Sequence, residues 1–455
     1  MNLKITLSIL FLLLIACSKD LDQTQNEVFI IKKLIYEKDG QFVESYGLMN
    51  SKGKQLVGLN YKKIHLVGSD YFVAEKEDHS QQYFKMSNEV PLFDKEFEVA
   101  KSFSINGLAR VKGKGKWGFI NRDGDYIIPP LYDLVGSFSE GVAAIIIEGK
   151  VGFIDEEGKI IIEPKYDLQA GDYIIPEEEI QKYRFVDGLC AVNLDNNYGY
   201  INHSGKIEIN TVYSYASKFY GEYAAAGTME KGHSLMGIIN KKGVWKVKPQ
   251  FINVFLGDDY FIGLLPRIHN ESNPFDFVEA EDEGFSYYKY DGSKMIDKVF
   301  KRKPLHDYTG FHDVFDLRRY AFSENMAFVC NDDSCGYVNK VGEYVIKPKY
   351  FPTSRMAELF TNGIAAVAFN HNQNSIYSGS KEDGYKGRVA SYRPVGFIDK
   401  LGKLIIPPVF VHAEIYSSGI IEVTPKESLP LQYLLDHVFY IDYKGNYVWN
   451  GFEEK

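Results

Sequence analysis

Short apolar runs separated by polar, glycine-containing turns recur along the chain. The stretch K-W-G-F-I-N-R-D-G-D-Y-I-I-P-P-L-Y-D, at 116–133, shows the pattern in full. Trp117 begins a β-rich run, Asp123-Gly124 supplies the positive φ of a tight hairpin turn, and Tyr126 begins the return strand. Pro129 then ends that strand, because proline cannot donate a ladder hydrogen bond.

A third β-rich run, Gly141 to Ile147, precedes the next copy of the pattern. The turn Glu148-Gly149-Lys150 joins this run to the next copy's first strand. Each unit is therefore predicted to be a three-stranded antiparallel meander. No amphipathic helix of useful length is predicted anywhere in the chain.

The pattern returns after 34 residues as K-V-G-F-I-D-E-E-G-K-I-I-I-E-P-K-Y-D, at 150–167. Its markers are a first glycine, a turn glycine six residues later, and an aromatic residue eight residues after the turn glycine. The glycine pairs are Gly47/Gly53, Gly118/Gly124, Gly152/Gly158, Gly199/Gly205, Gly237/Gly243, Gly336/Gly342 and Gly396/Gly402. The aromatic residues are Tyr61, Tyr132, Tyr166, Tyr213, Phe251, Phe300, Tyr350 and Phe410.

Degenerate copies bring the total to about ten. Ser286 and Phe439 replace the first glycine before Gly292 and Gly445, and a weak copy lies at 83–97. A unit this thin cannot bury its apolar face alone, so neighbouring units must share a core. A glycine inside a strand indicates that something bulky approaches the backbone, and we expect this to be an aromatic side chain of the neighbouring unit.

The repeat array is predicted to run from 29 to 455. It is most regular at 104–167 and degenerate at 83–97 and 286–300. Insertions that read as loops interrupt it at 168–184, 266–284, 301–320 and 371–393. About ten units exceed the usual four to eight blades of a propeller, so we expect an all-β, open, curved array, with a propeller-like closed ring as the alternative.

The combination of K-W-G-F-I-N-x-x-G, I-I-P-P-x-Y-D and F-S-E-G-x-A resembles the WG, or KWG, repeat of bacterial proteins. The resemblance is specific at 104–167 and good around 199–213, 336–350 and 396–410. It implies a β-repeat architecture and carries no particular reaction or ligand.

The N-terminus resembles a bacterial lipoprotein signal. An apolar run from Ile5 to Leu14, too short to span a bilayer, leads into Leu14-Ile15-Ala16-Cys17. The resemblance implies a signal peptide at 1–16, a lipid on Cys17 and a tether at 17–28. Ser18 and Lys19 favour the outer membrane of the cell envelope. The alternative is a plain signal peptide with an incidental cysteine.

Composition and the other cysteines narrow the chemistry. The net charge of −9 and pI near 5.7 argue against a nucleic-acid surface. No catalytic, cofactor or metal motif occurs, so we expect no enzyme activity, no cofactor and no metal. Cys190 takes the small buried slot of Ala143. Cys330 and Cys335 flank one hairpin turn, where a disulfide and two separate thiols are both compatible with the spacing.

The function expected from these features is a lipid-anchored binding or scaffold surface for a protein or glycan partner. An envelope hydrolase with a site built from the insertions, and a spacer without a ligand, are the alternatives. Within the last insertion, Tyr385, Arg388, Tyr392 and Arg393 form a candidate contact loop. The oligomeric state is not indicated.

Overall fold

The protein is all-β, as predicted. The computed structural model describes residues 28–36, 42–67, 70–76, 78–87, 89–168, 176–230, 233–265, 284–301, 317–331, 334–353, 358–369, 393–416, 418–425 and 439–449. Within these residues the strands form eight antiparallel sheets, and none of these sheets closes on itself. In every sheet each strand pairs with the strand that follows it in sequence.

The chain divides into two compact units. Unit 1 combines the residues up to Asp94 with Tyr350–Lys455. Its described strands are β1 (Val28–Tyr36), β2 (Phe42–Asn50), β3 (Gln55–Tyr61), β4 (Lys63–Leu66), β5 (Tyr71–Glu75), β6 (Gln81–Lys85), β29 (Ile364–Ala368), β30 (Val395–Asp399), β31 (Leu404–Ile415), β32 (Ile420–Pro425), β33 (Phe439–Asp442) and β34 (Tyr447–Trp449). They form the sheets β1–β3, β4–β6 and β29–β34.

Unit 2 comprises Lys95–Lys349 and forms five sheets, β7–β10, β11–β14, β15–β17, β18–β21 and β22–β28. The strands are β7 (Val99–Phe103), β8 (Ala109–Gly113), β9 (Lys116–Ile120), β10 (Tyr126–Tyr132), β11 (Leu134–Val135), β12 (Ala143–Ile147), β13 (Lys150–Ile154), β14 (Ile160–Asp167), β15 (Cys190–Leu194), β16 (Asn197–Ile201), β17 (Ile207–Tyr213), β18 (Tyr215–Ala216), β19 (Tyr223–Glu230), β20 (His233–Asn240), β21 (Trp245–Phe251), β22 (Asn253–Leu256), β23 (Phe261–Leu264), β24 (Gly284–Tyr288), β25 (Phe300–Lys301), β26 (Ala327–Cys330), β27 (Cys335–Val338) and β28 (Tyr344–Tyr350). One short helix, α1 (Pro176–Glu179), and 3-10 turns at Ile180–Lys182 and Leu317–Tyr320 lie in the insertions.

The predicted meander is present, and several sheets add a fourth strand to it. In the sheet β11–β14 the meander is β12, β13 and β14, and the two-residue strand β11 pairs with the free edge of β12. Strand β11 directly follows β10, the return strand of the previous copy, and pairs with β12 of the next copy. The chain therefore links these two repeats through a strand pairing. An element of two residues has no measurable periodicity, which is why the sequence did not reveal it.

The turn between the second and third strands of the meander is fixed by an asparagine or aspartate three residues before the turn glycine. In the 116–133 copy, the Asn121 Oδ1 accepts hydrogen bonds from the N–H groups of Asp123 and Asp125, at 3.0 and 2.9 Å. Gly124 follows with φ near +82°, a region that favours glycine. Asn50, Asn202, Asn240, Asn339, Asp399 and Asp442 accept two backbone N–H groups in the same way.

The mid-strand glycine is crowded, but the expected neighbour was wrong. A β-carbon added to Gly118 would lie 2.4 Å from the carbonyl oxygen of Ile128 and 2.7 Å from the carbonyl carbon of Pro129. The contact is therefore with the backbone of the unit's own return strand, and no aromatic side chain of the neighbouring unit occupies that space. The same backbone contact recurs at Gly47, Gly152, Gly199, Gly237, Gly336 and Gly396.

A bulge in the return strand explains this contact. Strand β10 pairs Ile128 with Phe119 and Tyr132 with Trp117, so three residues of β10 lie opposite the single residue Gly118. The extra residues fold over the glycine, where any β-carbon would overlap them. The strands that follow the other first glycines of the regular copies show the same register shift.

Successive repeats share their cores. Trp117 and Tyr132 pack in one cluster with Ala143, Ile145 and Ile154 of the next repeat. The residue four after a turn glycine also covers the next repeat's turn glycine, as a β-carbon on Gly158 would lie 3.1 Å from Ile128 Cγ1. Equivalent contacts join Ile162 to Gly205, Ile209 to Gly243, Val247 to Gly292 and Ile296 to Gly342.

Polar contacts join the same neighbours. The Tyr213 hydroxyl donates to the carbonyl of the next turn glycine, Gly243, at 3.1 Å. Asp167 forms an ion pair with Lys150 of its own repeat and accepts the N–H of Asp195 in the next repeat at 2.9 Å. The Lys150 ammonium and this N–H hold the pKa of the Asp167 carboxyl below its usual value.

In unit 1 the first and last sheets pack against each other by this kind of contact. Phe29, Ile31 and Met49 share a cluster with Ile420 and Tyr440. The Tyr440 hydroxyl donates to the Ile30 carbonyl at 2.7 Å, and a β-carbon on Gly53 would lie 2.9 Å from Val448 Cγ1. The terminal segments of the chain therefore stabilise each other.

We predict that Gly152→Val destabilises the protein by about 3 kcal/mol or more, because the new side chain overlaps backbone that cannot move aside. The Gly152 β-carbon position lies 2.7 Å from the Pro164 nitrogen and 2.8 Å from the Ile162 carbonyl oxygen. Urea unfolding followed by circular dichroism measures the change.

Ser286→Ala is the matched control, because Ser286 already carries a β-carbon in the equivalent slot. It should lose about 1 kcal/mol with its hydrogen bond to the Lys298 carbonyl, 2.6 Å long. A change below about 0.5 kcal/mol at Gly152 would show that the backbone there can yield.

Candidate binding surface

The repeat residues singled out from the sequence lie inside the sheets. Tyr132, Tyr166 and Tyr350 are all buried. The Tyr350 hydroxyl donates to the Gly402 carbonyl at 3.1 Å, and the Tyr132 hydroxyl is 3.4 Å from the Gly158 carbonyl. These tyrosines pack between repeats, and the first glycines pack against the return strand of their own repeat.

The three later cysteines are also structural. Cys330 and Cys335 are directly opposite residues of β26 and β27, and their sulfur atoms form a disulfide. Cys190 is a free thiol that is completely buried against Tyr166 and Val192. Burial raises the pKa of the Cys190 thiol far above its usual value, so it has no thiolate character at neutral pH.

The candidate contact loop is described at one residue. Tyr385, Arg388 and Tyr392 lie outside the described residues, as do Cys17 and most of the last three insertions. The Arg393 guanidinium lies over the ring of Phe351, 3.7 Å from its centroid. This cation–π contact fixes the end of the insertion onto the repeat array.

The described part of the insertion 168–184 brings a carboxylate into the protein. Glu179 is buried and its Oε2 accepts a hydrogen bond from Lys182 Nζ at 2.6 Å. Burial, and then the Glu179 carboxylate, raises the pKa of Tyr198 to about 12. The Tyr198 phenol therefore stays protonated at neutral pH.

Metal binding finds no support in the part of the chain that the structure describes, where no group of three or more His, Cys, Asp or Glu side chains could hold an ion. Two of the described histidines, His79 and His203, lie close to glutamate carboxylates. His203 Nε2 lies 3.2 Å from Glu140 Oε2, and its ring stacks on Phe185. His79 Nδ1 lies 2.7 Å from Glu75 Oε1.

The return strands carry the largest set of exposed apolar side chains, which the sequence reading did not single out. Strands β10, β17 and β28 end their sheets, and their buried residues lie four and eight positions after the turn glycine. Exposed apolar residues lie two, three or seven positions after the turn glycine. In unit 2 they are Tyr126, Ile127, Leu131, Ile207, Val212, Val299, Tyr344 and Val345, which we name the return-strand surface.

A partner would bind the return-strand surface through its side chains and not by adding a strand to the sheet edge. Leu131 is 65% exposed and Val212 is 63% exposed, and both lie in the bulge of a return strand. Pro129 and Pro130 remove two N–H groups from the edge of β10, and the bulge over Gly118 bends it. A further strand therefore cannot pair along it, and a partner would contact the apolar side chains.

Comparison with known proteins matches the repeat itself. A model of the WG containing repeat matches residues 87–117, 117–150, 152–173, 198–226 and 396–424. The chain contains WG repeats. The matched segments include Gly118, Gly152, Gly199 and Gly396. The glycine of the WG motif is therefore the residue over which the return strand bulges.

No curated protein matches the sequence. Among solved structures, the computationally designed Ika8 protein is similar over 67% of this chain and 91% of its own, with 9% identity and a TM-score of 0.32. BamB from Moraxella catarrhalis is similar over 68% of this chain and 97% of its own, with 8% identity and a TM-score of 0.31. Saccharomyces cerevisiae Sqt1 covers 58% of this chain and 77% of its own, with 11% identity and a TM-score of 0.27. Scores this low carry no argument about function.

We predict that Cys190 resists alkylation in the folded protein, because its sulfur is buried and protonated. Mass spectrometry after iodoacetamide treatment at pH 8 should find Cys190 unmodified without denaturant and modified in urea. Rapid labelling in the native state would contradict the buried position.

Proposed function

We propose that this WG-repeat protein is a lipid-anchored scaffold of the bacterial cell envelope that binds a protein partner through its return-strand surface. The observation that carries the proposal is the repetition of exposed aliphatic residues at return-strand positions that the fold leaves free. Contiguous exposed apolar patches mark interaction sites, and the proposal takes these positions as parts of one such patch.

The chemistry of the surface favours a protein over a glycan. Six of its eight members are aliphatic without a polar atom: Ile127, Leu131, Ile207, Val212, Val299 and Val345. Glycans are bound by aromatic platforms with adjacent polar groups, whereas aliphatic side chains complement the apolar core of a protein interface. The tyrosines Tyr126 and Tyr344 suit the rim of such an interface.

We propose a binding role and not a catalytic one, because the polar groups described above make structural contacts. The buried Glu179 is paired with Lys182, and the raised pKa of Tyr198 keeps that phenol protonated. His203 and Glu140 support a loop, since the two carboxylate oxygens of Glu140 accept the N–H groups of Asp187 and Gly188. The contacts of these polar groups are therefore explained by their role in the fold.

The envelope location rests on the lipoprotein-type sequence ending at Cys17 and on the disulfide. A disulfide between Cys330 and Cys335 suits an oxidising compartment outside the cytoplasm. Among the described residues, no helix has the length and apolar character needed to cross a membrane. We propose the outer membrane as the site of anchoring, from the residues Ser18 and Lys19.

We predict that Ile127→Glu, Leu131→Glu and Val212→Glu together reduce partner recovery at least about tenfold, because three carboxylates would be desolvated in an apolar interface. The measurement is quantitative affinity capture of the mature chain from envelope extracts, after in-cell cross-linking. Thermal unfolding checks that the variant is folded.

Ile105→Glu is the control for that experiment. Ile105 is fully exposed in a hairpin turn outside the return strands, so its substitution should leave recovery unchanged. Equal recovery by the triple variant would overturn the proposed surface. Retention on purified cell-wall glycan that survives the triple substitution would assign a glycan partner elsewhere on the chain.

We predict that Cys17→Ala moves the protein from the membrane fraction to the soluble envelope fraction, because the lipid attachment atom is lost. Cell fractionation with immunoblotting measures this. The control is Ser18→Ala, which leaves the sulfur in place. Full membrane retention of Cys17→Ala would remove the anchor from the proposal.

A further inference from the structure

Three neighbouring hairpins of unit 1 concentrate lysine at their tips. Their turn glycines are Gly53, Gly402 and Gly445. The exposed lysines that flank these glycines are Lys52, Lys54, Lys400, Lys403 and Lys444. We name this set of tips the basic edge. It stands out because the whole chain carries a net charge of −9.

The three tips are adjacent within unit 1. A β-carbon on Gly445 would lie 3.7 Å from Ile406 Cγ2 of the preceding hairpin, and one on Gly53 would lie 2.9 Å from Val448 Cγ1. The three hairpins therefore pack on one another in succession, and their lysines contribute to the potential of the same row of tips.

The acidic groups at these tips are committed to the turns. Asp399 Oδ1 accepts the N–H groups of Leu401 and Lys403, at 2.9 and 2.8 Å. Asp442 Oδ1 accepts those of Lys444 and Asn446 in the same way, at 2.8 and 2.9 Å. Among the described residues, the three turns 50–54, 399–403 and 442–446 contain these five lysines and two aspartates, so the tips carry a net positive formal charge.

Large apolar side chains stand among these lysines. Leu401 is 86% exposed and Tyr447 is 63% exposed, with Leu404 and Ile405 exposed beside them. Nothing in the fold requires an apolar residue at the Leu401 position, because the corresponding residue is Asp123 in one repeat and Ser204 in another. Lysines around protruding leucine and tyrosine are the composition of surfaces that lie in a membrane interface.

We propose that the basic edge docks unit 1 onto a bilayer containing anionic lipids. The lysine ammonium groups contact headgroup phosphates, while Leu401 and Tyr447 enter the boundary between headgroups and acyl chains. The chain that precedes β1 fits this orientation. Only eleven residue steps separate Cys17 from Val28, a reach of at most about 40 Å.

Docking does not depend on the lipid at Cys17, so it can be tested without it. The test uses the chain from Ser18 onward, which keeps every residue that the structure describes. Sedimentation with vesicles measures partitioning onto pure phosphatidylcholine and onto phosphatidylcholine with about one third phosphatidylglycerol. We expect at least about tenfold stronger partitioning onto the anionic vesicles, weakened by added salt.

Matched substitutions separate the basic edge from general charge. Lys54→Glu, Lys403→Glu and Lys444→Glu should together abolish the preference for anionic vesicles. Lys159→Glu, Lys206→Glu and Lys242→Glu change the same turn positions in unit 2 and should leave it intact. Leu401→Asp should weaken binding several-fold, while Val341→Asp, at the matched exposed tip in unit 2, should not.

Equal partitioning onto the two vesicle types would overturn the proposal, and so would equal losses from the two lysine sets. The triple variant of the return-strand surface should lose partner capture and keep its binding to anionic vesicles. That result would show that membrane docking does not depend on partner binding. Selective binding of an acidic protein, with no binding to anionic vesicles, would assign the edge to a different occupant and overturn docking on lipid.

Discussion

The passage of a return strand across a mid-strand glycine is the constraint on which the rest of this structure depends. At Gly118 the carbonyl oxygen of Ile128 comes within 2.4 Å of where a β-carbon would be, and Gly237 and Gly336 show the same distance to Val247 and Ile346. No other amino acid leaves room for the bulge. The bulge in turn sets which return-strand residues point inward.

The consequences of the bulge reach the next repeat. The residues that flank it, such as Ile128 and Tyr132, both pair with the second strand of their own meander. Both also reach the following repeat, Ile128 beside Gly158 and the Tyr132 hydroxyl toward the same glycine's carbonyl. Each contact contributes only a little, yet each hydrophobic cluster spans two repeats. Stability is therefore collective, as in other repeat proteins.

Sequence periodicity was sufficient for the meanders, the turns and their order, because hairpins are local and the turn glycines occur at fixed steps. It could not identify the partner of Gly118. A crowded glycine is visible in sequence, but the crowding atoms are backbone and carry no residue signature. The two-residue strand β11 was too short to detect, and the Asn121 turn contact was present in the motif but was not given a role.

Candidate binding positions were harder to predict than the fold for a related reason. The aromatic residues most conspicuous in the sequence, Tyr132 and Tyr166 among them, are conspicuous because packing repeats them, and packing buries them. The exposed residues, such as Leu131 and Val212, occur at positions where the regular array tolerates a lysine, as at Lys165. A position that the fold leaves free can vary from repeat to repeat, and only coordinates show which of these positions face solvent.

The division between buried and solvent-facing positions also explains how one short motif can carry different exposed residues in the two units. The turn at each hairpin needs a side-chain acceptor three residues before a glycine, and makes no demand on the residues beside that glycine. Asp399 and Gly402 meet this need, so the turn geometry does not fix the residue type at positions 400, 401 and 403. In unit 2 the corresponding freedom on the return strands is used for aliphatic residues. Core packing and surface chemistry are therefore encoded at different positions of a single repeat, so the exposed positions can vary without weakening the shared core.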